Sequence, residues 1–125
     1  MAVRMNALLW ILQAALVIVL VPAAITRAVA YDFAQNRMAW VAALPRPLLL
    51  FISLAEILGA LGLLLPGLTG VAPPLTSAAA VGLGIIQALA FRFHMSRHEP
   101  RNASANLGLL ALLVVVALGR SVVSP

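Results

Sequence analysis

The chain has no cysteine and no lysine, and only three acidic residues, Asp32, Glu56 and Glu99, in 125 positions. Without cysteine there is no disulfide, no thiolate nucleophile and no Cys-held zinc or iron–sulfur cluster. Any redox role must therefore borrow a quinone, another cofactor or a partner subunit. Without lysine, all side-chain positive charge at neutral pH rests on eight arginines, which leave a formal charge of +5. No nucleophile triad, phosphate loop or HExxH box is present. What remains is 64% hydrophobic and 9% charged, with a mean hydropathy of +1.12, the composition of a membrane protein. In such a chain an arginine excess sets topology and does not describe a nucleic-acid surface.

The most informative stretch is 48–66, LLLFISLAEILGALGLLLP, an apolar run of bilayer-spanning length with one carboxylate, Glu56, in its middle. Three further runs have similar character. Taken with it, they predict an all-α, polytopic membrane protein, an antiparallel bundle of four transmembrane helices at about 5–27, 48–66, 75–95 and 105–121, in a single domain over 1–125. Residues 1–30 also imitate a secretory signal peptide, with Arg4, an apolar core and Ala28-Val29-Ala30, but the apolar run continues through Pro22 to Ile25 and is read as a helix. Residues 28–46 are too polar to span. On a helical period Phe33, Met38, Val41 and Leu44 share one side opposite Asp32, Gln35, Asn36 and Ala39. The segment reads either as a short interfacial helix capped by Asp32, with Tyr31 and Trp40 at headgroup depth, or as a connector with an aromatic belt. Small residues at small-xxx-small spacing, Ala55, Gly59, Ala60 and Gly62 against Ala78, Ala79, Ala80, Gly82, Gly84 and Ala88, predict close packing of the second and third spans. The fourth span is expected to be capped by Ser104 or Asn102.

Arg27, Arg37, Arg46, Arg92, Arg97 and Arg101 flank the two connections that share a side, against Arg4 and Arg120 at the other. The positive-inside rule then places both connections in the cytoplasm and both termini outside the cell membrane. Arg27 and Arg92, at span ends, read as residues that snorkel to the interface, and Arg120 as an interfacial anchor at a helix C-terminus.

Counted from the cytoplasmic boundary, Glu56 and Gln87 fall at about the same depth, roughly 13 Å in, with Gln13 several ångströms deeper. A cluster of Glu56, Gln87 and Gln13 would form a polar ligand-binding site in a dry bundle, and a carboxyl group with only amides beside it would be neutral and able to act as general acid. The alternative is a Glu56 paired with an arginine, fixing helix register alone. His94, near the cytoplasmic rim, is a candidate acid/base partner for Glu56. His94 and His98 are four apart, a spacing able to hold a metal, but the surrounding Arg92, Arg97 and Arg101 oppose a cation, and no metal site is expected. Those three arginines read as a site for anionic lipid headgroups.

The run Glu56-Ile57-Leu58-Gly59-Ala60-Leu61-Gly62-Leu63-Leu64-Leu65-Pro66-Gly67-Leu68-Thr69, with Pro74-Leu75-Thr76, Gly82-Leu83, Phe93-His94, Arg97, Asn106 and Arg120, resembles the DoxX-like family of small four-helix membrane proteins. The resemblance covers 48–120, and E-x-x-G-x-x-G-L-L-L-P is its most specific part. The first helix departs from the pattern, with Thr26-Arg27 where a glycine and a lysine often stand. The family takes its name from a subunit associated with an archaeal thiosulfate:quinone oxidoreductase, and an animal relative acts in receptor assembly. The resemblance implies the fold and a membrane location, with a quinone as a conceivable ligand and a membrane subunit or second copy as a conceivable partner. Residues and resemblance together give three expectations for function. These are an accessory subunit or lipophilic small-molecule site in a redox or lipid-linked process, a membrane enzyme using Glu56, and a structural assembly factor.

Overall fold

A computed structural model describes all residues, 1–125. The chain forms five α-helices: α1 (Ala2–Val29), α2 (Tyr31–Arg37), α3 (Arg46–Thr69), α4 (Pro74–Ser96) and α5 (Pro100–Val122), with a 3₁₀ turn, Ala39–Ala43, between α2 and α3. Helices α1, α3, α4 and α5 are long and apolar enough to cross a membrane, and they pack in a ring, α1 on α3, α3 on α4, α4 on α5 and α5 back on α1. The four-span expectation holds.

All four long helices are apolar on every side, so apolar periodicity cannot mark their inner faces. Packing and polar residues do so instead. In α3 the buried positions are Leu49, Ser53, Glu56, Ala60 and Leu63, and in α1 they include Leu9, Gln13, Leu16, Leu20 and Arg27. Alternate steps of three and four residues make each set one stripe along the helix. Leu16, Leu20, Leu63, Ala80, Leu83, Leu113 and Val116 close the centre of the bundle.

Glycine sets the α3–α4 spacing. A Cβ at Gly62 would lie 2.6 Å from the Cβ of Ala79, and one at Gly59 would lie 2.6 Å from Leu83. The expected close pairing of these two spans is therefore present, but only over half their length. Following the same stripe toward the α3 N-terminus replaces the glycines with Ala55, Ile52 and Leu48, while α4 offers Ile86, Ala90 and Phe93. Bulk on both faces wedges the helices apart at that end.

Local chemistry explains where the elements stop. Gly70 caps α3 at φ 72°, its N–H bonded to the Pro66 carbonyl, a left-handed conformation that glycine adopts without a steric penalty. Helix α5 begins at Pro100, with Glu99 as N-cap and no side-chain cap, in place of the expected Ser104 or Asn102. Proline at the first helical position gives up an N–H that has no helical partner in any case. Asp32 is not a cap either: Ala30 holds that position, and Asp32 lies in the first turn of α2. The 28–46 connector is helical, but broken at Met38, whose backbone is extended. Its buried residues, Ala34 and Val41, pack with Leu49 of α3, while Phe33 of the expected apolar side is exposed.

Candidate functional site

The wedge between α3 and α4 opens into a cavity of about 440 Å³. Leu48, Phe51, Ile52 and Ala55 of α3 and Ile86, Leu89, Ala90 and Phe93 of α4 form its seam, while α1 and α5 close the back. Trp40 and Leu44 of the connector also line it. Phe51 and Leu89 are 68% and 62% exposed, so the seam is open to the outside of the bundle through apolar side chains.

Arg27, Glu56, Gln87, His94 and Asn106 interrupt this apolar lining. Arg27 donates from Nη2 to Glu56 Oε2 at 2.7 Å and from Nε to Ser53 Oγ at 3.4 Å. Its guanidinium also lies 5.6 Å from the centre of the Trp40 ring, within cation–π range. Arg27 is in the last turn of α1, whereas Glu56 is about three turns into α3. They meet because α1 ends at a deeper level than α3 begins, and α2 and the 3₁₀ turn make up the difference.

This corrects two expectations. Arg27 does not snorkel outward, and Glu56 does not stand among amides alone: the two are an ion pair, 6% exposed each. Burying them together avoids the larger cost of burying either charge alone.

Gln87 accepts a hydrogen bond from Asn106 Nδ2 at 3.2 Å and shares the cavity with Glu56, as their matched depths suggested. Gln13 is elsewhere. It donates to the Leu63 carbonyl and accepts from Arg120 Nε at 2.7 Å, on the far side of the leucine layer. Arg120 also donates to Asn6 Oδ1 at 2.7 Å and stacks 5.3 Å from Trp10. It is a tie between α5 and α1 and not only an interfacial anchor, and Gln13 belongs to that tie.

His94 is buried and lines the cavity, and its Nδ1 is 3.0 Å from Glu99 Oε1. An ionised carboxylate can only accept, so the imidazole proton sits on Nδ1, and Nε2 is left without a partner in the protein. Trp40 and Phe93 meet the His94 ring edge-on at 5.3 and 5.2 Å. Arg97 Nε donates to the same Glu99 oxygen at 2.9 Å, while Arg92, Arg97, His98 and Arg101 are all exposed. His98 is not part of the cavity wall and lies in the turn between α4 and α5, with φ 56°.

Hydrogen bonds from His94, then Arg97, hold the Glu99 carboxyl below its ordinary value of 4.5. A depressed carboxylate stabilises the fold above its unfolded value, and the contribution is lost as pH falls through the folded one. Carbon-13 NMR of Glu99 is expected to show a midpoint below 4.5 that moves up in Arg97→Gln. A midpoint unchanged by that substitution would mean that Arg97 does not bond the Glu99 carboxylate in solution.

The sequence pointed to Glu56, Gln87 and His94, and the fold gathers them at one cavity. It missed Arg27, Trp40 and Asn106 as wall residues, and Ser53 as the buried acceptor of Arg27.

No curated protein and no solved structure matches the chain. A family model described as the DoxX-like family matches residues 11–116, a stretch that contains every charged and amide residue of the cavity. With that match over most of its length and four membrane-crossing helices, the chain is a small integral membrane protein that belongs to the DoxX-like family.

Proposed function

We propose that the α3–α4 cavity takes up a lipophilic small molecule, quinone- or lipid-like, and that the protein serves as the ligand site or accessory subunit of a membrane redox or lipid-linked process. One observation carries this reading: an apolar cavity, open between two helices, has a wall interrupted by five polar side chains, Arg27, Glu56, Gln87, His94 and Asn106. Its volume lies within the range of small-molecule sites, about 300–1,000 Å³. Arg27 and Gln87 are donors suited to a carbonyl or hydroxyl oxygen, and the apolar seam suits a hydrocarbon body. In a cell membrane with both termini outside, as the arginine count implies, the seam opens within the cytoplasmic half. Arg92, Arg97 and Arg101 then lie at the headgroup level of that leaflet, as a site for anionic lipid phosphates.

A second reading, an enzyme that moves a proton on a hydrophobic substrate, is favoured by the Glu99–His94 contact. A carboxylate that fixes the ring's Nδ1–H leaves Nε2 as a base at the cavity wall. In this reading His94 acts on the substrate, and Glu56 is held by Arg27.

Mass spectrometry of protein extracted in its native lipid patch tests the first reading. The expected result is a retained lipophile that disappears in Ala90→Phe, which fills the cavity from α4. Equal retention by both proteins would overturn it.

A further inference from the structure

We infer that the cavity selects an uncharged polar head that both accepts and donates a hydrogen bond, and that Glu56 is the residue that turns anions away. The inference deepens the ligand-site reading above and rests on it.

The argument begins with unused valences. Arg27 spends Nε on Ser53 and Nη2 on Glu56, leaving Nη1 without a protein partner, while Glu56 spends Oε2 and leaves Oε1. Neither free atom is sealed in, because Arg120 Nη2 is the single buried side-chain atom without a partner. Both residues line the cavity, so the surface these atoms keep is turned to it. Gln87 accepts from Asn106 and has its Nε2–H groups to spare. The polar part of the cavity wall thus presents donors from Arg27 and Gln87 and an acceptor from Glu56.

Charge decides which heads can use them. Arg27 and Glu56 are the one cation and the one acid among the lining residues apart from His94, and their charges cancel. A carboxylate or phosphate entering here would leave water for a site with no net attraction. An anion that accepted from the free Arg27 Nη1 would meet a cation already neutralised by Glu56, with the Glu56 carboxylate as a like charge close by in apolar surroundings, so its lost hydration is not repaid. An ammonium head meets the same difficulty against Arg27. A neutral hydroxyl, hydroxyketone or monoacylglycerol-type head meets neither: its oxygen accepts from Arg27 Nη1 or Gln87 Nε2, and its O–H donates to Glu56 Oε1.

Two brominated probes of equal chain length, a stearyl alcohol and a stearate, separate these cases at pH 8.5 in neutral-lipid nanodiscs. Quenching of Trp40, in a Trp10→Phe background, reports cavity occupancy at short range, and Ala90→Phe sets the level due to bulk lipid. The alcohol should quench at least about tenfold more strongly than the stearate. Glu56→Gln, which releases the Arg27 charge, should reverse the order, with stearate gaining about tenfold. The double variant Arg27→Gln/Glu56→Gln, which leaves neither charge exposed, should again prefer the alcohol. Equal quenching by both probes, or an order unchanged in Glu56→Gln, would overturn the inference while leaving the ligand site standing. Quenching by neither probe above the Ala90→Phe level would remove the site reading itself, and this inference with it.

Discussion

Glu56→Leu is expected to destabilise the protein by about 3–5 kcal/mol, and Arg27→Met by a similar amount. Each substitution strands one charge among apolar side chains, and Arg27→Met also takes the Nε donor from Ser53 and the cation from the Trp40 ring. The double variant Arg27→Met/Glu56→Leu should recover most of the loss, because the bundle then buries no charge at this level and the replacement side chains are of similar bulk. Thermal unfolding of all four proteins in one detergent forms a double-mutant cycle that reads the coupling directly. Additive losses would show that the two groups are separately hydrated in the cavity and that their 2.7 Å contact contributes nothing. A neutral Glu56→Leu would point the same way.

The second large effect is expected at Gly62. An alanine there would bring its methyl group to 2.6 Å from that of Ala79, and neither methyl can rotate away, so the two helices must separate. The expected loss is about 1–3 kcal/mol, the usual scale of overpacking. Gly59→Ala should cost less, since the atoms it meets belong to the Leu83 side chain, which has other rotamers. Gly82 faces open space, and Gly82→Ala should be neutral or stabilising by about 0.5–1 kcal/mol through helix propensity. Thermal melts that rank the three otherwise would mean that α3 and α4 are not held at their glycine spacing.

These two sites differ in how far they could be read in advance. The glycines were legible because small-residue spacing is a local signal: Gly59, Gly62 and Ala79 lie on faces that a helical wheel defines. The spans were legible for the same reason, as length and hydropathy belong to single segments. The inward placing of Glu56 was legible, since it is the lone acid in an apolar run, and so was its shared level with Gln87, because α3 and α4 are joined by a short turn that fixes their relative height. Arg27 was not. Its partner is set by how far α1 slides along α3, and the connector between them leaves that offset free. An arginine near a span end looks the same from the sequence whether it reaches out to headgroups or in to a carboxylate. Gln13 failed in the same way. Its depth was bracketed, but the leucine layer and the competing Arg120 guanidinium belong to packing and not to any one helix. The break at Met38 was hidden too, because the apolar positions of 28–46 satisfy a continuous helix as well as they satisfy two pieces.

The half-length wedge between α3 and α4 has a consequence for supply. If the opening is the entrance, a guest arrives by two-dimensional diffusion within one leaflet and meets Phe51 and Leu89 before it meets any polar atom. Occupancy then follows the guest's mole fraction in that monolayer, and its partition coefficient out of water enters as a multiplier on apparent affinity. A weakly held but strongly partitioning compound could saturate the protein at trace aqueous levels. The same compound confined to the opposite monolayer would reach the site only as fast as it flips.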